Sequence, residues 1–420
     1  MSRVVIIGAG IGGLVLAQGL RAAGVGVSVH ERDTDLARTG GYRLHLDPGA
    51  LAALRRRLPV AIYQALVASA APAASFRQFA LLDHRLRTLA RIPRGGDGEH
   101  VLIGRIPLRL LLGHGLAGTL VPGSTFEALE HNADGTVTAT FADGTSETAD
   151  VLVGADGARS RVAAALAGHP TARPLPSSGL AGRAGLTPEL GTGLPADLSA
   201  GPAFVLGPDG TVVFLSLHDA TTAAIAPDAC GDVPARIEAP YVVWGIVDPA
   251  PVIGAGLTGV DALAVARTRL RGWAGWLTGL LEASDLGTVA QFPYYAADPG
   301  AGLTPWPARA ATALGDAVHA VPPTGGQGAA TAIRDADLLA THLLGSPGFA
   351  AVPLALHDFQ QGMAAYAPAV IRASVAPLHW QRRLTSRAGR PLLRALLPVA
   401  GAAAGAVAAM RRRAPDGGPQ

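Results

Sequence analysis

The chain opens on an apolar run, Val4-Val5-Ile6-Ile7, which breaks at Gly8-Ala9-Gly10 and resumes with helical spacing from Ile11 through Ala17. Four consecutive β-branched residues predict a buried parallel strand, and the change of period predicts strand, turn, helix. A second strand is expected over Val25 to His30, ending at Glu31. Gly40-Gly41-Tyr42-Arg43-Leu44-His45-Leu46 reads as a loop entering a short strand. Asp47-Pro48 then opens a helix, with Asp47 as N-cap and Pro48 in its first turn. Leu51, Leu54 and Leu58 give that helix one apolar face. Phe76 to Leu82 and Leu86 to Ile92 alternate around Asp83-His84-Arg85, the pattern of a hairpin.

Val101 to Arg105 predicts a short strand leading into a helix over Pro107 to Leu116. Phe126 to Glu130, Thr136 to Phe141 and Ser146 to Thr148 form a meander turned at Asp134-Gly135 and Asp143-Gly144. Strand Val151 to Val153 delivers Gly154-Ala155-Asp156-Gly157. Residues 171 to 205 are rich in Pro, Gly and Ser, which suggests a crossing between domains. Beyond it, Thr211 to Leu217, Thr222 to Ala226 and Tyr241 to Val247 read as strands of a second sheet. Ala262 to Leu270 and Trp273 to Leu281 read as helices, and Pro293 to Trp306 as loop. Ala311 to Leu314 is a last strand ending in Gly315-Asp316, and helix dominates from Ala329 to the end.

Length and composition narrow the class. At 420 residues with 49% hydrophobic content and 15% charged residues, the chain is globular and long enough for two domains. Its formal charge of +3 is carried by arginine alone, because the sequence has no lysine. Apart from Arg55-Arg56-Arg57 and Arg411-Arg412-Arg413 the arginines are scattered, which leaves no nucleic-acid footprint. One cysteine, Cys230, excludes an internal disulfide and suits a reducing cytoplasm. The start runs directly into the first strand, so no signal peptide is expected. Ala395 to Met410 is uncharged but only 16 residues long. A helix of that length spans about 24 Å, against about 30 Å for a hydrocarbon core. It reads as a C-terminal helix docked on the body, with peripheral membrane contact the alternative.

The chemistry concentrates at three places. Gly8, Gly10 and Gly13 form G-x-G-x-x-G, with Ile11 and Gly12 at the start of the helix. Gly8 permits the tight turn, Gly10 the approach of a pyrophosphate, and Gly13 close packing of helix on strand. Glu31, 18 residues after Gly13 and followed by Arg32, stands where an acid should bond ribose hydroxyls. The second place is Asp156-Gly157 at a strand end. The third is Gly315-Asp316, followed by Pro323, Gly326, Gly328 and Ala329 at another helix start. The first pattern alone says dinucleotide, with NAD and FAD equally open. Three sites strung along the chain suit an extended ligand with adenosine, pyrophosphate, polyol and ring.

With these motifs the chain resembles the class A FAD-dependent monooxygenases, the aromatic hydroxylase family with the p-hydroxybenzoate hydroxylase type of fold. The resemblance covers about residues 1 to 345. It implies an α/β fold: a Rossmann-like FAD-binding domain of the glutathione reductase type, a β-sheet substrate domain and a C-terminal helical extension. The implied division is 1–75, 96–170 and 290–345 for FAD, 76–95 and 171–289 for substrate, and 346–420 for the C-terminal helices. Gly8, Gly10, Ile11, Gly12, Gly13, Glu31 and Arg32 would serve the ADP half of FAD, and Asp156 both FAD and the nicotinamide. Gly315, Asp316, Pro323, Gly326, Gly328 and Ala329 would serve the ribityl chain and flavin ring. Arg105, in Gly-Arg-x-x-Leu-Arg, matches an arginine that contacts FAD, and Gly41-Tyr42-Arg43 the loop beside the isoalloxazine. Where the family often has Asn, this chain has Ala330, which leaves backbone N–H groups to serve there.

The implied reaction consumes NADPH or NADH as a transient reductant and inserts one atom of O2 into a substrate through a flavin hydroperoxide. Val252 to Gly256 repeats the opening glycines, but Leu257-Thr258-Gly259 does not continue the pattern, so no separate nicotinamide domain is expected. Low charge in the second domain points to a hydrophobic, aromatic or polycyclic substrate. Arg43 is the candidate catalytic residue, facing flavin or substrate. Tyr241, Trp244, Tyr294 and Tyr295 are candidates for the pocket wall, and His319 is equally open to a structural or a catalytic role. A flavin oxidase or reductase acting without oxygen insertion is the alternative. A halogenase is disfavoured, since that class resembles enzymes needing a lysine and W-x-W-x-I-P, both missing here. No histidine spacing suggests a metal. A cytoplasmic monomer or homodimer is expected.

Overall fold

The computed structural model describes residues 3–94, 98–221, 223, 225–226, 230–248, 256–346 and 348–385, with Pro391. Along the chain come β1 (Arg3–Ile7), α1 (Ile11–Ala22), β2 (Gly26–Glu31), β3 (Arg43–Leu46), α2 (Pro48–Arg57) and α3 (Val60–Ala68). Next are β4 (Gln78–Asp83), β5 (Thr88–Pro93), β6 (Val101–Gly104), α4 (Arg105–Leu112) and β7 (Leu120–Pro122). A meander of β8 (Phe126–His131), β9 (Val137–Phe141) and β10 (Ser146–Ala149) leads to β11 (Val151–Gly154) and α5 (Arg161–Ala167). The second half holds β12 (Ala172–Gly185), α6 (Pro188–Thr192), β13 (Ala203–Leu206), β14 (Val212–His218) and β15 (Tyr241–Asp248). After α7 (Gly259–Arg269) and α8 (Gly275–Glu282) come β16 (Ala290–Ala297), β17 (Ala311–Ala313), α9 (Asp316–His319), α10 (Gly328–Gly345) and α11 (Val352–Thr385).

The apolar opening becomes a central strand. All pairs in the order β17-β11-β1-β2-β7 are parallel, and Val4, Val5 and Ile6 are fully buried. Val4 and Ile6 face a core shared with α1, α2, α4, α10 and α11, whereas Val5 and Ile7 face the meander and α5. A strand buried on both faces is what an unbroken β-branched run specifies. Asp47 caps α2 as expected, accepting from the Ala50 N–H at 2.9 Å.

The second sheet has seven strands in the order β16-β12-β15-β14-β13-β4-β5. Its residues alternate. Ala80, Leu82, Val205, Val213, Leu215, Val242, Trp244 and Ile246 pack under α7 and α8. The opposite set, Phe79, Phe204, Phe214, His218 and Tyr241, lies on the other face. That face is linked to the β3–β6 ribbon, because Phe79 meets Phe76 edge-on at 5.0 Å and Phe76 meets His45 at 4.6 Å.

Several expectations need correction. The Pro/Gly/Ser-rich stretch from 171 contains a 14-residue strand, β12, with a register shift between Pro174 and Ser178. Pro293 to Trp306 is not all loop, since β16 runs through Pro293 to Ala297 on the edge of the sheet. An edge strand tolerates the missing proline N–H. Strands β7 and β13 and helices α3 and α5 had no counterpart in the pattern reading. Thr222 to Ala226 lies partly outside the described residues, and Ala223, Ile225 and Ala226 belong to no strand. Residues 252–255 and 395–413 also lie outside the described residues. Among the described residues no helix is long and apolar enough to cross a membrane.

Candidate functional site

The glycine turn between β1 and α1 is built for close approach. Gly8 sits at φ +107°, and a Cβ there would lie 2.4 Å from the Ala155 carbonyl oxygen. A Cβ on Gly13 would lie 2.2 Å from the Gly8 oxygen, so helix and turn are in contact. Gly10 differs, because a Cβ there would meet only the Ala155 oxygen at 3.6 Å. Helix α1 begins at Ile11 with Gly10 as a cap that supplies no side chain and with no acid in its first turn. Its first N–H groups and the positive end of its dipole therefore remain available for an anion. Gly12 packs under Leu314 and Ala332.

Glu31 is buried and held from three sides. Its Oε2 accepts from the Ala9 N–H at 2.9 Å and from Arg109 Nη2 at 2.8 Å, and its Oε1 from the Asp33 N–H at 3.0 Å. A carboxylate has about four acceptor positions, so one remains for a ligand hydroxyl. Arg109 is itself buried and also donates to the carbonyls of Ala9, Leu36 and Arg38. Arg109 is not among the candidates that the sequence pattern picks out. Its signal was the second arginine of Gly-Arg-x-x-Leu-Arg, one helical turn beyond Arg105 on α4. Arg32 is exposed at the tip of β2.

Asp156 turns its carboxylate onto the start of α5. It accepts from Ser160 Oγ at 2.5 Å and from the Arg161 N–H at 2.8 Å. Burial still raises its pKa above the usual value, against those hydrogen bonds. Gly157, at φ +81°, faces open space.

Gly315, at φ +63°, follows β17 as the N-cap of α9, which starts at Asp316. Among the described residues the Asp316 carboxylate has no hydrogen-bond or ion-pair partner. Burial raises its pKa, with His319 and Arg105 opposing the shift and Asp335 adding to it. Its Oδ1 lies 3.6 Å from where a Gly328 Cβ would stand. Gly328 begins α10, whose cap Gln327 lends no side chain and whose first turn has no acid. Ala330 is buried in that first turn, Ala329 is half-buried beside it, and Pro323 and Gly326 are exposed in the turn before it. Arg105 joins this group. Its Nε donates to Thr39 Oγ1 at 3.0 Å, its backbone N–H to the Tyr42 carbonyl at 2.6 Å, and a Cβ on Gly41 would lie 3.4 Å from its Cδ. Burial lowers the Arg105 pKa, and Asp316 partly restores it.

Arg43 goes elsewhere. Its guanidinium donates through Nη1 to the Leu217 carbonyl at 3.0 Å, on the seven-stranded sheet. Burial brings its pKa down to about 10, with Tyr241 opposing. The aromatic candidates separate likewise. Trp244 is on the far face, packed under the helices with its Nε1 donating to Ser284 Oγ at 2.8 Å, so it is not a wall of this site. Tyr241 is on the near face, and Tyr294 lies buried beside Phe292. Phe79, Phe204 and Phe214, absent from the sequence candidates, form the half-exposed near wall. His319 is buried and bonded to Asp335, away from open space.

These features fit FAD. Two uncapped helix starts, an acid at the first, an unpartnered acid at the second and a buried arginine between them match a long dinucleotide with a polyol in its middle.

Comparison with known proteins agrees. A family model described as FAD binding domain matches residues 1–175 and 311–373. Phenazine 1,6-dicarboxylic acid hydroxylase PhzS of Lysobacter antibioticus is 30% identical over 81% of this chain and 82% of its own length. The dual O-methyltransferase/FAD-dependent monooxygenase elcB of Phaeosphaeria nodorum is 30% identical over 79% of this chain. The chain spans 39% of the length of that relative. A crystal structure described as a FAD containing monooxygenase, from Photorhabdus luminescens subsp. laumondii TTO1, superposes with a TM-score of 0.75. It shares 30% identity and covers 90% of this chain and 99% of its own. The chain belongs to the FAD-dependent monooxygenases.

Proposed function

We propose that this chain consumes NADPH or NADH to insert one oxygen atom from O2 into a hydrophobic aromatic or polycyclic substrate. The carrying observation is the near face of the seven-stranded sheet. There Phe79, Phe204 and Phe214 form a half-exposed row, with ring centroids 6.2 and 5.6 Å apart, opposite the β3–β6 ribbon. Half-exposed phenyl rings in series suit a flat apolar ligand. PhzS, which by its name acts on a phenazine dicarboxylic acid, supports an aromatic substrate.

When bound, FAD takes electrons from the nicotinamide and lets oxygen be delivered to the substrate. The chain's residues divide the remaining work. Gly8, Gly10, Ile11, Gly12 and Gly13 admit the pyrophosphate at α1, and Glu31, oriented by Arg109, takes a ribose hydroxyl. Arg32 and Asp156 lie along the same edge. Asp316 accepts from the polyol, Arg105 supplies positive charge beside it, and Gly315, Pro323, Gly326, Gly328 and Ala329 leave room for a flat ring at the start of α10. The sheet and ribbon exclude water from the space between them, which limits loss of the activated oxygen.

In this reading residues 1–75, 96–170 and the chain from 298 to 345 hold the cofactor. Residues 76–95 and 171–297 hold the substrate, β16 counting with the sheet in which it pairs. Residues 346–385, with α11, pack against the cofactor half as a C-terminal extension. Oxygen uptake by the FAD-loaded protein with NADPH and with NADH, across a panel of polycyclic aromatics, tests the reading. A stimulating aromatic that leaves as an oxygenated product upholds it. Turnover with no oxygen incorporated would make the chain an oxidase or reductase.

A further inference from the structure

The sheet face that carries the phenyl row is polar further along β14, beyond Phe214. His218, the last residue of β14, is 0% exposed, yet neither ring nitrogen has a hydrogen-bond partner among the described residues. Its ring is tilted against Tyr241 at 4.7 Å, and its Nε2 lies 3.7 Å from Glu238 Oε2, beyond hydrogen-bond range. Glu238 is already occupied, accepting from Arg183 Nη1 and from the Tyr241 hydroxyl, each at 3.0 Å. Arg183 is thereby neutralised. Arg43 is not, because its one hydrogen bond goes to a neutral carbonyl, that of Leu217 beside His218. No carboxylate lies within 4 Å of it among the described residues. Buried polar groups are normally satisfied, and a half-buried cation such as Arg43 gains from an anion. Here an unpaired cation and an unsatisfied imidazole stand together, on the sheet face that carries Phe204 and Phe214.

Resting on the reading above, we propose that Arg43 and His218 form the recognition pole for a single anionic oxygen group, a carboxylate or phenolate, at one end of an elongated aromatic substrate. Arg43 is the counter-ion and His218 the second hydrogen-bond donor. The rest of the ring system lies along Phe214, Phe204 and Phe79. Glu238 and Arg183 neutralise each other, which leaves Arg43 as the cation free to pair with the acid. The substrate orientation follows from this polarity. The acidic group points toward β14 and β15, and the remote rings toward β4. The depressed basicity of His218, whose pKa burial and the nearby Arg43 bring down to about 4, keeps the imidazole neutral and able both to donate and to accept.

The probe pair is 3-hydroxy-2-naphthoate and 3-hydroxy-2-naphthamide, matched in shape and differing in charge. Binding to the FAD-loaded protein is read from the probes' own fluorescence, independently of turnover. The acid is expected to bind at least about tenfold tighter than the amide, the scale of one charge-assisted hydrogen bond. Arg43→Met should reduce the ratio to within about twofold, and His218→Gln should lower it less. Circular dichroism and flavin absorbance show whether each variant is folded. Equal binding of acid and amide, no binding of either, or a preference that survives in a folded Arg43→Met protein would overturn the proposal. An intact preference in a protein that takes up no oxygen would instead remove the monooxygenase reading and leave the anion pole standing.

Discussion

His319 Nε2 lies 2.5 Å from Asp335 Oδ2, with both side chains buried, and the same carboxylate oxygen accepts the Gly315 N–H at 2.8 Å. The other oxygen accepts from the Tyr366 hydroxyl. One carboxylate on α10 thus ties the end of β17, helix α9 and the long helix α11 together, and it fixes the backbone from which Asp316 projects. Thr324 adds a second tie, donating from Oγ1 to the Ser374 carbonyl at 2.5 Å.

Burial acts against a charged His319, but Asp335, with Asp316 behind it, raises its pKa above the ordinary value near 6.5. A histidine with a raised folded-state pKa contributes stability below its unfolded pKa and loses it as pH rises through the folded value. Thermal unfolding from pH 6 to 9 should therefore show a decline in wild type that is flattened in Asp335→Asn. At pH 6 that variant should be less stable by about 3 kcal/mol, the scale of a broken buried pair. A variant as steep as wild type would remove His319 from the account.

Arg109 and Glu31 form a buried pair at 2.8 Å with further hydrogen bonds on both sides. Arg109→Met leaves Glu31 buried without its cation, which should cost about 3–5 kcal/mol. FAD affinity should fall at least about tenfold, because the carboxylate loses its fixed direction. Urea unfolding and a flavin titration measure the two effects separately.

The opening glycines should fail in different ways. Gly13→Ala forces a Cβ to 2.2 Å from a backbone oxygen, so folding itself should suffer by several kcal/mol, on the order of 4. Gly10→Ala meets only an ordinary contact at 3.6 Å, so the fold should survive while FAD binding is lost. Circular dichroism against flavin absorbance separates the cases. Equal flavin retention in Gly10→Ala would move the pyrophosphate away from this turn.

Glu147 bonds His30 at 3.0 Å and Ser28 at 2.5 Å and lies 2.8 Å from Arg3. Burial would raise its pKa, but these partners outweigh it and bring the value down to about 2. A carboxylate with a depressed pKa contributes stability above its unfolded value near 4.5 and loses it as pH falls toward 2. Glu147→Gln should cost up to about 3 kcal/mol at pH 7, with the gap from wild type closing below pH 4.5. Chemical denaturation at pH 7, 4.5 and 3 checks the trend.

The cofactor half was legible because its chemistry is local. A β-branched run, three glycines and an acid at fixed offsets specify β1, α1 and β2 within 31 residues, and Asp47 caps its own helix. The sheet was less legible for reasons that can be named. Strand β12 carries Pro174, Pro176 and Ser178-Gly179, which locally argue for a loop, and it is held as a strand by β15 and β16 on either side. Pro293 hid β16, whose edge position tolerates it. His218 and Glu238 gave no pattern and Arg109 only the end of Gly-Arg-x-x-Leu-Arg, since each acquires its role from residues far away in sequence: Arg109 meets Glu31 across 78 positions and Glu238 meets Arg183 across 55. Alternation within β14 and β15 would have put Phe214, His218 and Tyr241 on one face of the sheet and Trp244 on the other.

In the proposed reaction an oxygen atom from O2 ends in an aromatic product. Turnover of the FAD-loaded protein with NADPH and a stimulating aromatic under 18O2, followed by mass spectrometry of the product, measures it directly. One 18O atom per product molecule is expected, and none when the label is supplied as H218O. NADPH oxidation that yields only hydrogen peroxide or water, with every aromatic recovered unlabelled, would contradict it.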